Sequence, residues 1–305
     1  MTKLCDGRVV VVTGGARGIG REHCLMLAEH GAKVVVNDLG GARDGTGSDL
    51  GPADEVVQEI EAMGGEAVAN GDDVSDWEGA QRLINTAVGT FGDLTGVVCN
   101  AGILRDRMLV NMTEAEWDAV IQVHLKGTFA PVRWAGAYWR EKAKAGEEVK
   151  ASVVTTTSVS GIYGNPGQTN YGAAKAGVAS FTVIAAREML RYGVRVNCVA
   201  PGALTRMTED LGMGSASEAE KAQMHPRFIA PIVTWLMSDD SADVTGRVFE
   251  ASGQTFAIAE GWHRGPTADP IDDPTQIGDV ARRLVREAQL NSGMDGGPQD
   301  GGLLS

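Results

Sequence analysis

Basic charge is scarce in this chain: 27 lysines and arginines stand against 40 aspartates and glutamates, a formal net charge of −13. Such an imbalance argues against a nucleic-acid footprint or docking on an anionic membrane surface, so neither partner is expected. Any anionic ligand has to be met by local groups. Cysteine is scarce as well. Cys5, Cys24, Cys99 and Cys198 are scattered without a C-x-x-C spacing, which reads as structural thiols in a reducing compartment rather than a redox or zinc motif. His23, His30, His124, His225 and His263 show no metal-ligand spacing, so no metal site is expected. No apolar run is long enough to span a bilayer, and the opening MTKLCDGRVV lacks the apolar region of a signal peptide. The terminal Leu303-Leu304-Ser305 is not a peroxisomal address of the S-K-L kind. A cytoplasmic protein follows as the expectation.

What the chain does have is core material, 43% hydrophobic residues over 305 positions. That suffices for one large α/β domain or two small ones. Apolar, β-branched runs recur between helical stretches at Arg8–Thr13, Lys33–Asp38, Glu66–Asn70, Gly96–Asn100, Ala151–Thr157, Arg195–Ala200 and Arg247–Ala251. Strands alternating with helices predict a doubly wound, mostly parallel sheet of about seven strands, in which ligands sit outside the carboxyl ends. Thr13, Asp38, Asp73, Asn100, Ser158 and Pro201 all stand at or just after such ends. Between Asp38 and Pro52 runs a long glycine-rich loop that reads either as a solvated surface loop or as a cover for a cofactor. After residue 255 the composition turns to Pro, Gly and Asp, with one helical pattern over Val280–Leu290. The chain therefore divides on paper into residues 1–255 and a C-terminal extension, 256–305.

The segment Val9–Gly20, VVVVTGGARGIG, is a buried strand followed by a glycine-rich turn that opens a helix. Gly14, Gly18 and Gly20 suit a tight turn, close backbone approach to a pyrophosphate and helix packing on the strand, with Arg17 and Ile19 lining the same turn. The helix N-terminus supplies free N–H donors to an anion. A second constellation is Ser158, Tyr171 and Lys175. Tyr171 and Lys175 are four apart and share one helix face. A tyrosine with a reference pKa of about 10 is a poor base near neutrality, and a neighbouring ammonium is expected to lower it. Ser158 follows an apolar strand, with a hydroxyl able to donate and accept, while Thr157 and Ser160 are near competitors. Asp38 closes the second strand where a carboxylate would accept from ribose hydroxyls and repel a 2′-phosphate. Arg17 pulls toward the phosphorylated cofactor; the carboxylate weighs more, and NAD is expected.

Taken together, TGGARGIG, Asn100-Ala101-Gly102, Ser158, Y-x-x-x-K at Tyr171–Lys175 and Pro201-Gly202 resemble the short-chain dehydrogenase/reductase family over roughly residues 5 to 255. The resemblance implies a Rossmann-type fold, Tyr171 as the proton-transferring residue with Lys175 beside it, and Ser158 as the group orienting the substrate. It implies that Asp73 and Val74 meet the adenine and that Asn100, Ala101, Gly102, Pro201 and Gly202 line the cofactor. Where the family usually carries an asparagine anchoring a water relay, this chain has His124, which reads either as a relay member or as a buried structural histidine. AGILRDR from Ala101, VHLKG from Val123, SGIYGNPGQTNY from Ser160 and RMTE from Arg206 look like the dehydrogenase region of the peroxisomal multifunctional enzyme type 2. This implies a (3R)-hydroxyacyl-CoA substrate, with Arg105, Arg107 and Arg206 as candidate partners of CoA phosphates. Thr205 to Pro226 resembles the family's mobile substrate loop. A steroid or terpenoid alcohol is the alternative substrate, a non-catalytic dinucleotide sensor the alternative class. A homodimer or homotetramer is implied.

Overall fold

The solid apolar runs become central strands buried on both faces. The strands are β1 (Val9–Thr13), β2 (Lys33–Asn37), β3 (Glu66–Asn70), β4 (Gly96–Cys99), β5 (Ala151–Thr156), β6 (Val194–Gly202), β7 (Val248–Ser252) and β8 (Phe256–Ile258). Of these, β3, β7 and β8 at the sheet's two sides are partly buried or exposed. The computed structural model describes residues 3–41, 47, 50–203, 222–289 and 291–297. It divides into two compact units, Met1–Ala259 and Glu260–Ser305.

The first unit is one sheet of strand order β3-β2-β1-β4-β5-β6-β7-β8. Every neighbouring pair is parallel except β7 with β8, which is antiparallel. The pleat sorts side chains by parity. Val10, Val12, Val34, Val36, Val98 and Val154 pack on one face, while Val9, Val11, Val35, Val97 and Val153 pack on the other. The first face is covered by α1 (Gly18–Glu29) and α2 (Gly51–Ala62), the second by α3 (Trp77–Phe91). After β4 come α4 (Glu114–Ile121), a π-helical turn at Gln122–Lys126, and α5 (Gly127–Lys144). Beyond β5 lie α6 (Val159–Ile162) and α7 (Thr169–Met189), and α8 (Ala230–Met237) precedes β7. α5 and α7 join α3, and α8 joins α1 and α2.

The strand order reverses between β1 and β4, and their carboxyl ends there open the crevice where doubly wound sheets bind ligands. Two details differ from the sequence reading. β6 continues through Pro201 and Gly202, which pair with Ala251 and Ser252 and so belong to the strand rather than following it. The eighth strand, Phe256–Ile258, adds an antiparallel edge beyond residue 255.

In the second unit the helix is α9 (Ile277–Glu287), which starts and stops about one turn earlier than Val280–Leu290. None of the unit's described residues is buried. Among the described residues, no helix is long and apolar enough to cross a membrane.

Candidate active site

The crevice is built first by close backbone approach. Gly14 takes a φ of +63°, and a Cβ there would stand 2.8 Å from Ala101 Cα, so a side chain would push β1's turn off the end of β4. A Cβ on Gly20 would overlap the Gly14 carbonyl oxygen. The buried Thr13 hydroxyl accepts the N–H groups of Asn100 (3.0 Å) and Ala101 (3.1 Å). The Asn100 carboxamide donates back to the carbonyls of Thr13 (3.2 Å) and Gly14 (3.1 Å). Asn100 is thus a clamp on the turn. α1 then begins at Gly18 with no side-chain cap from Arg17 and no acidic residue in its first turn. Its orphan N–H groups and positive dipole end are left for an anion. A pyrophosphate fits this cradle, and the residues present fit a dinucleotide.

Asp38 follows β2 and is held by two backbone donors, Ala16 N–H at 3.1 Å and Gly40 N–H at 2.8 Å. Its carboxylate therefore stands fixed beside the glycine turn with lone pairs to spare. Arg17 reaches along the same side to the Gly41 carbonyl at 3.3 Å. The Asp73 carboxylate accepts from both the N–H and the hydroxyl of Ser75, each at 2.8 Å, the geometry of a turn leading into α3. Val74 is buried and sits under Gly127, while Ile19 is a half-buried residue of α1. Gly102 faces His124, whose ring would overlap any Cβ at that position.

The second constellation assembles at the end of β5. Ser158 is the N-cap of α6, accepting from Ser160 N–H at 3.2 Å, and its hydroxyl hydrogen-bonds Tyr171. The competing hydroxyls are engaged elsewhere. Thr157 donates to the Lys175 carbonyl at 2.6 Å and Ser160 to Gln168 Oε1 at 2.8 Å. Lys175 Nζ lies 5.6 Å from the Tyr171 ring centroid and donates to the Thr156 carbonyl at 2.6 Å. Burial pulls the Lys175 ammonium down to about 8. Burial also pushes the Tyr171 phenol up to about 12, the Ser158 hydrogen bond opposing it and the nearby Asp106 charge adding to it. The expected lowering of Tyr171 by Lys175 is therefore overturned in this structure. Loss of water sets the direction, and Lys175, turned toward the Thr156 carbonyl, contributes nothing that offsets it.

His124 lies in the π-helical turn, buried, edge-on to Tyr171 at 5.1 Å between ring centroids. Its Nε2 stands 2.7 Å from the Ile103 carbonyl and 3.1 Å from the Ile103 N–H, so it donates to the one or accepts from the other according to which ring nitrogen carries the proton. Burial drives the imidazole down to about 3, so it stays neutral at physiological pH. Its Nδ1 has no partner among the described residues.

Three further side chains were not singled out from the sequence. Buried Asn170 donates to the carbonyls of Arg105 (3.0 Å) and Glu116 (3.1 Å) and accepts from Tyr171 N–H at 2.8 Å. Gln168 and Asp106 meet at 2.8 Å beside it. The only local signal is a run of amide side chains at a helix start, where such groups find free backbone partners. Of the candidate phosphate-binding arginines, Arg107 is paired with Glu116 at 2.9 Å, and Arg105 has a buried Nε without a hydrogen bond. Arg206 lies outside the described residues, as does most of Thr205 to Pro226.

Residues 8–215 match the short chain dehydrogenase family. The chain is 44% identical over 284 residues to the hydroxyacyl-CoA dehydrogenase ChsB1 of Mycobacterium tuberculosis, covering 89% of this chain and 86% of that protein. It is 42% identical over 273 residues to the peroxisomal multifunctional enzyme type 2 of Drosophila melanogaster, covering 89% of this chain and 44% of that longer protein. A crystal structure of a short chain dehydrogenase from Mycobacterium avium superposes with a TM-score of 0.85 at 47% identity, covering 95% of this chain and 98% of that one.

The crowding at Gly20 yields a stability expectation. Gly20→Ala forces the α1 start away from Gly14 and costs about 1–3 kcal/mol, the range for overpacking. Urea unfolding should show a lower midpoint at unchanged slope; a midpoint equal to wild type would show that the turn yields freely.

Proposed function

The chain belongs to the short-chain dehydrogenase/reductase family, oxidoreductases acting on CH–OH groups with a nicotinamide dinucleotide, and we propose that it is an NAD-dependent dehydrogenase of (3R)-3-hydroxyacyl-CoA or a related CoA thioester. The observation that carries the reading is the meeting of Ser158, Tyr171 and Lys175 beside the glycine turn. A bound nicotinamide supplies the hydride acceptor for oxidation, or the donor for reduction. Gly14, Gly18, Ile19 and Gly20 hold the pyrophosphate end, Asp38 the adenosine ribose, Asp73 and Val74 the adenine side. Asn100, Ala101, Gly102, Pro201 and Gly202 line the remainder.

Tyr171 takes the alcohol proton on its phenolate oxygen during oxidation and returns it during reduction. For oxidation it must first lose its own proton, which burial opposes; the Ser158 hydrogen bond helps, as does positive charge gathered in the site. Ser158 holds the reacting oxygen as its charge changes. Lys175, fixed on the Thr156 carbonyl, keeps a positive end near the ring. His124, neutral, turns its unpartnered Nδ1 to a water on the way to Lys175, which it can meet as donor or acceptor according to its tautomer.

The preference for NAD rests on the fixed Asp38 carboxylate, since a 2′-phosphate beside it would meet like charge in a partly desolvated place. Arg17 is drawn off toward the Gly41 carbonyl. The thioester is supported by the name of the ChsB1 relative and by the resemblance in AGILRDR and SGIYGNPGQTNY. A reducing, cytoplasmic setting accords with four free, buried thiols. Exposed Phe129 and Ile184 on α5 and α7 offer apolar surface for a homodimer or homotetramer.

Tyr171→Phe should lose at least about a hundredfold in kcat, the scale of general acid–base catalysis, while still binding dinucleotide in a fluorescence titration. Near-normal turnover in that variant refutes the proton role.

Native protein should prefer NAD by kcat/KM, and Asp38→Ala should narrow the gap to NADP. Equal or better efficiency of the native protein with NADP would mean that Arg17 prevails.

Truncating a CoA thioester to a short free alcohol should cost kcat as well as affinity, because remote binding energy helps position the reacting carbon. A side-by-side kinetic panel decides the substrate class: a free sterol or terpenoid alcohol outperforming every CoA thioester in kcat/KM overturns the assignment.

A further inference from the structure

Gln168 is a buried carboxamide, 5% exposed, at the N-cap of α7, three residues before Tyr171. Its Oε1 accepts two hydrogen bonds, from the Ser160 hydroxyl at 2.8 Å and from Asn165 Nδ2 at 2.9 Å. Its Nε2 donates to Asp106 Oδ2 at 2.8 Å. A carboxylate only accepts, so Asp106 dictates which end of the amide faces it, and the other end must face the serine turn. The backbone follows the same seam: Arg107 N–H bonds the Gly167 carbonyl at 2.8 Å, and Gly172 N–H bonds the Gln168 carbonyl at 2.6 Å.

Three segments from distant parts of the chain converge here: the loop after β4, the α6 turn that carries Ser158, and the start of α7 that carries Tyr171. Asn170 also reaches the first of these, through the Arg105 carbonyl, but its partners do not include the serine turn. Gln168 joins all three.

We propose that Gln168 is a positioning residue that sets the spacing of Ser158 and Tyr171 and anchors Asp106 beside them, through one amide of fixed polarity. The Asp106 charge that acts on the Tyr171 phenol is held in place by this same bond. The inference rests on the proposed Ser158–Tyr171 chemistry, and its consequences are separable from it.

Gln168→Met keeps the bulk and removes every side-chain hydrogen bond of the amide. With the best alcohol substrate it should lower kcat about tenfold or more, the scale of small misplacements at a reacting centre. KM and the dinucleotide Kd should stay within about twofold, a split that partial unfolding would not produce. The double variant Asp106→Asn/Gln168→Glu reverses the polarity of the seam: the new amide donates, and the new carboxylate accepts from it, from Ser160 and from Asn165. It should recover kcat to within about threefold of wild type.

Hydrogen–deuterium exchange gives the readout independent of turnover. Gln168→Met should speed exchange in both 103–107 and 158–164, and the double variant should restore protection. A Gln168→Met enzyme with wild-type kcat and exchange overturns the proposal, as does a double variant no better than Gln168→Met. Wild-type protein inactive on every alcohol, with the exchange pattern as expected, would instead sink the proposed function and leave the seam standing.

Discussion

The carboxyl edge of this sheet depends on one close approach, the passage of the Gly14 backbone against Ala101 at the end of β4. Only because neither Gly14 nor Gly20 carries a side chain can the turn tuck under the next strand. Thr13 and Asn100 then lock it there by exchanging side-chain and backbone hydrogen bonds. Their polar groups are used up in holding the turn, so the free N–H groups at the start of α1 are what remains for a ligand. The anion site is therefore a by-product of packing two strands and a helix through glycine.

At the other half of the crevice the governing effect is desolvation. Tyr171, Lys175 and His124 are driven toward their neutral forms by the same loss of water: the phenol upward, the ammonium and the imidazole downward. Tyr171 and His124 each have an opposing influence, the Ser158 hydroxyl for the one and the Ile103 backbone for the other. A site poised this way is sensitive to any positive charge brought near it, since a cation favours the phenolate while disfavouring the ammonium.

Much of this was legible in the sequence, for reasons that can be named. The central strands, buried on both faces, write themselves as Val-rich apolar runs, and β3 and β7 as shorter mixed ones, so seven could be placed without structural knowledge. Phe256–Ile258 could not, being three exposed residues with no alternation to read. Pro201 and Gly202 looked like a strand's end because of their conformational habits, yet the β6–β7 ladder carries on through them. The Ser158, Tyr171 and Lys175 spacing was readable as a motif, and the structure brings the three together. The direction of the Tyr171 shift was not readable, because spacing reports a neighbouring charge but not the water lost around it. Ser158 was preferred to Thr157 and Ser160 from its place in the motif, while the partners that engage the other two, the Lys175 carbonyl and Gln168, were not readable. Gln168 shares that invisibility, since its bond to Asp106 joins segments far apart in sequence.

The strand order has a consequence in time. β1 lies between β2 and β4, so the glycine turn at residues 14–20 has no Ala101 to rest against until the chain has extended past β4. The serine turn arrives only after β5, and the β6 strand that flanks β5 closes at Gly202. Loop closure between such separated strands is slow, and parallel pairing has no hairpin to start it. During synthesis the first motif to emerge thus stays incomplete until β4 has followed it, and its apolar strand must spend that interval with an unpaired side, when aggregation is the competing fate.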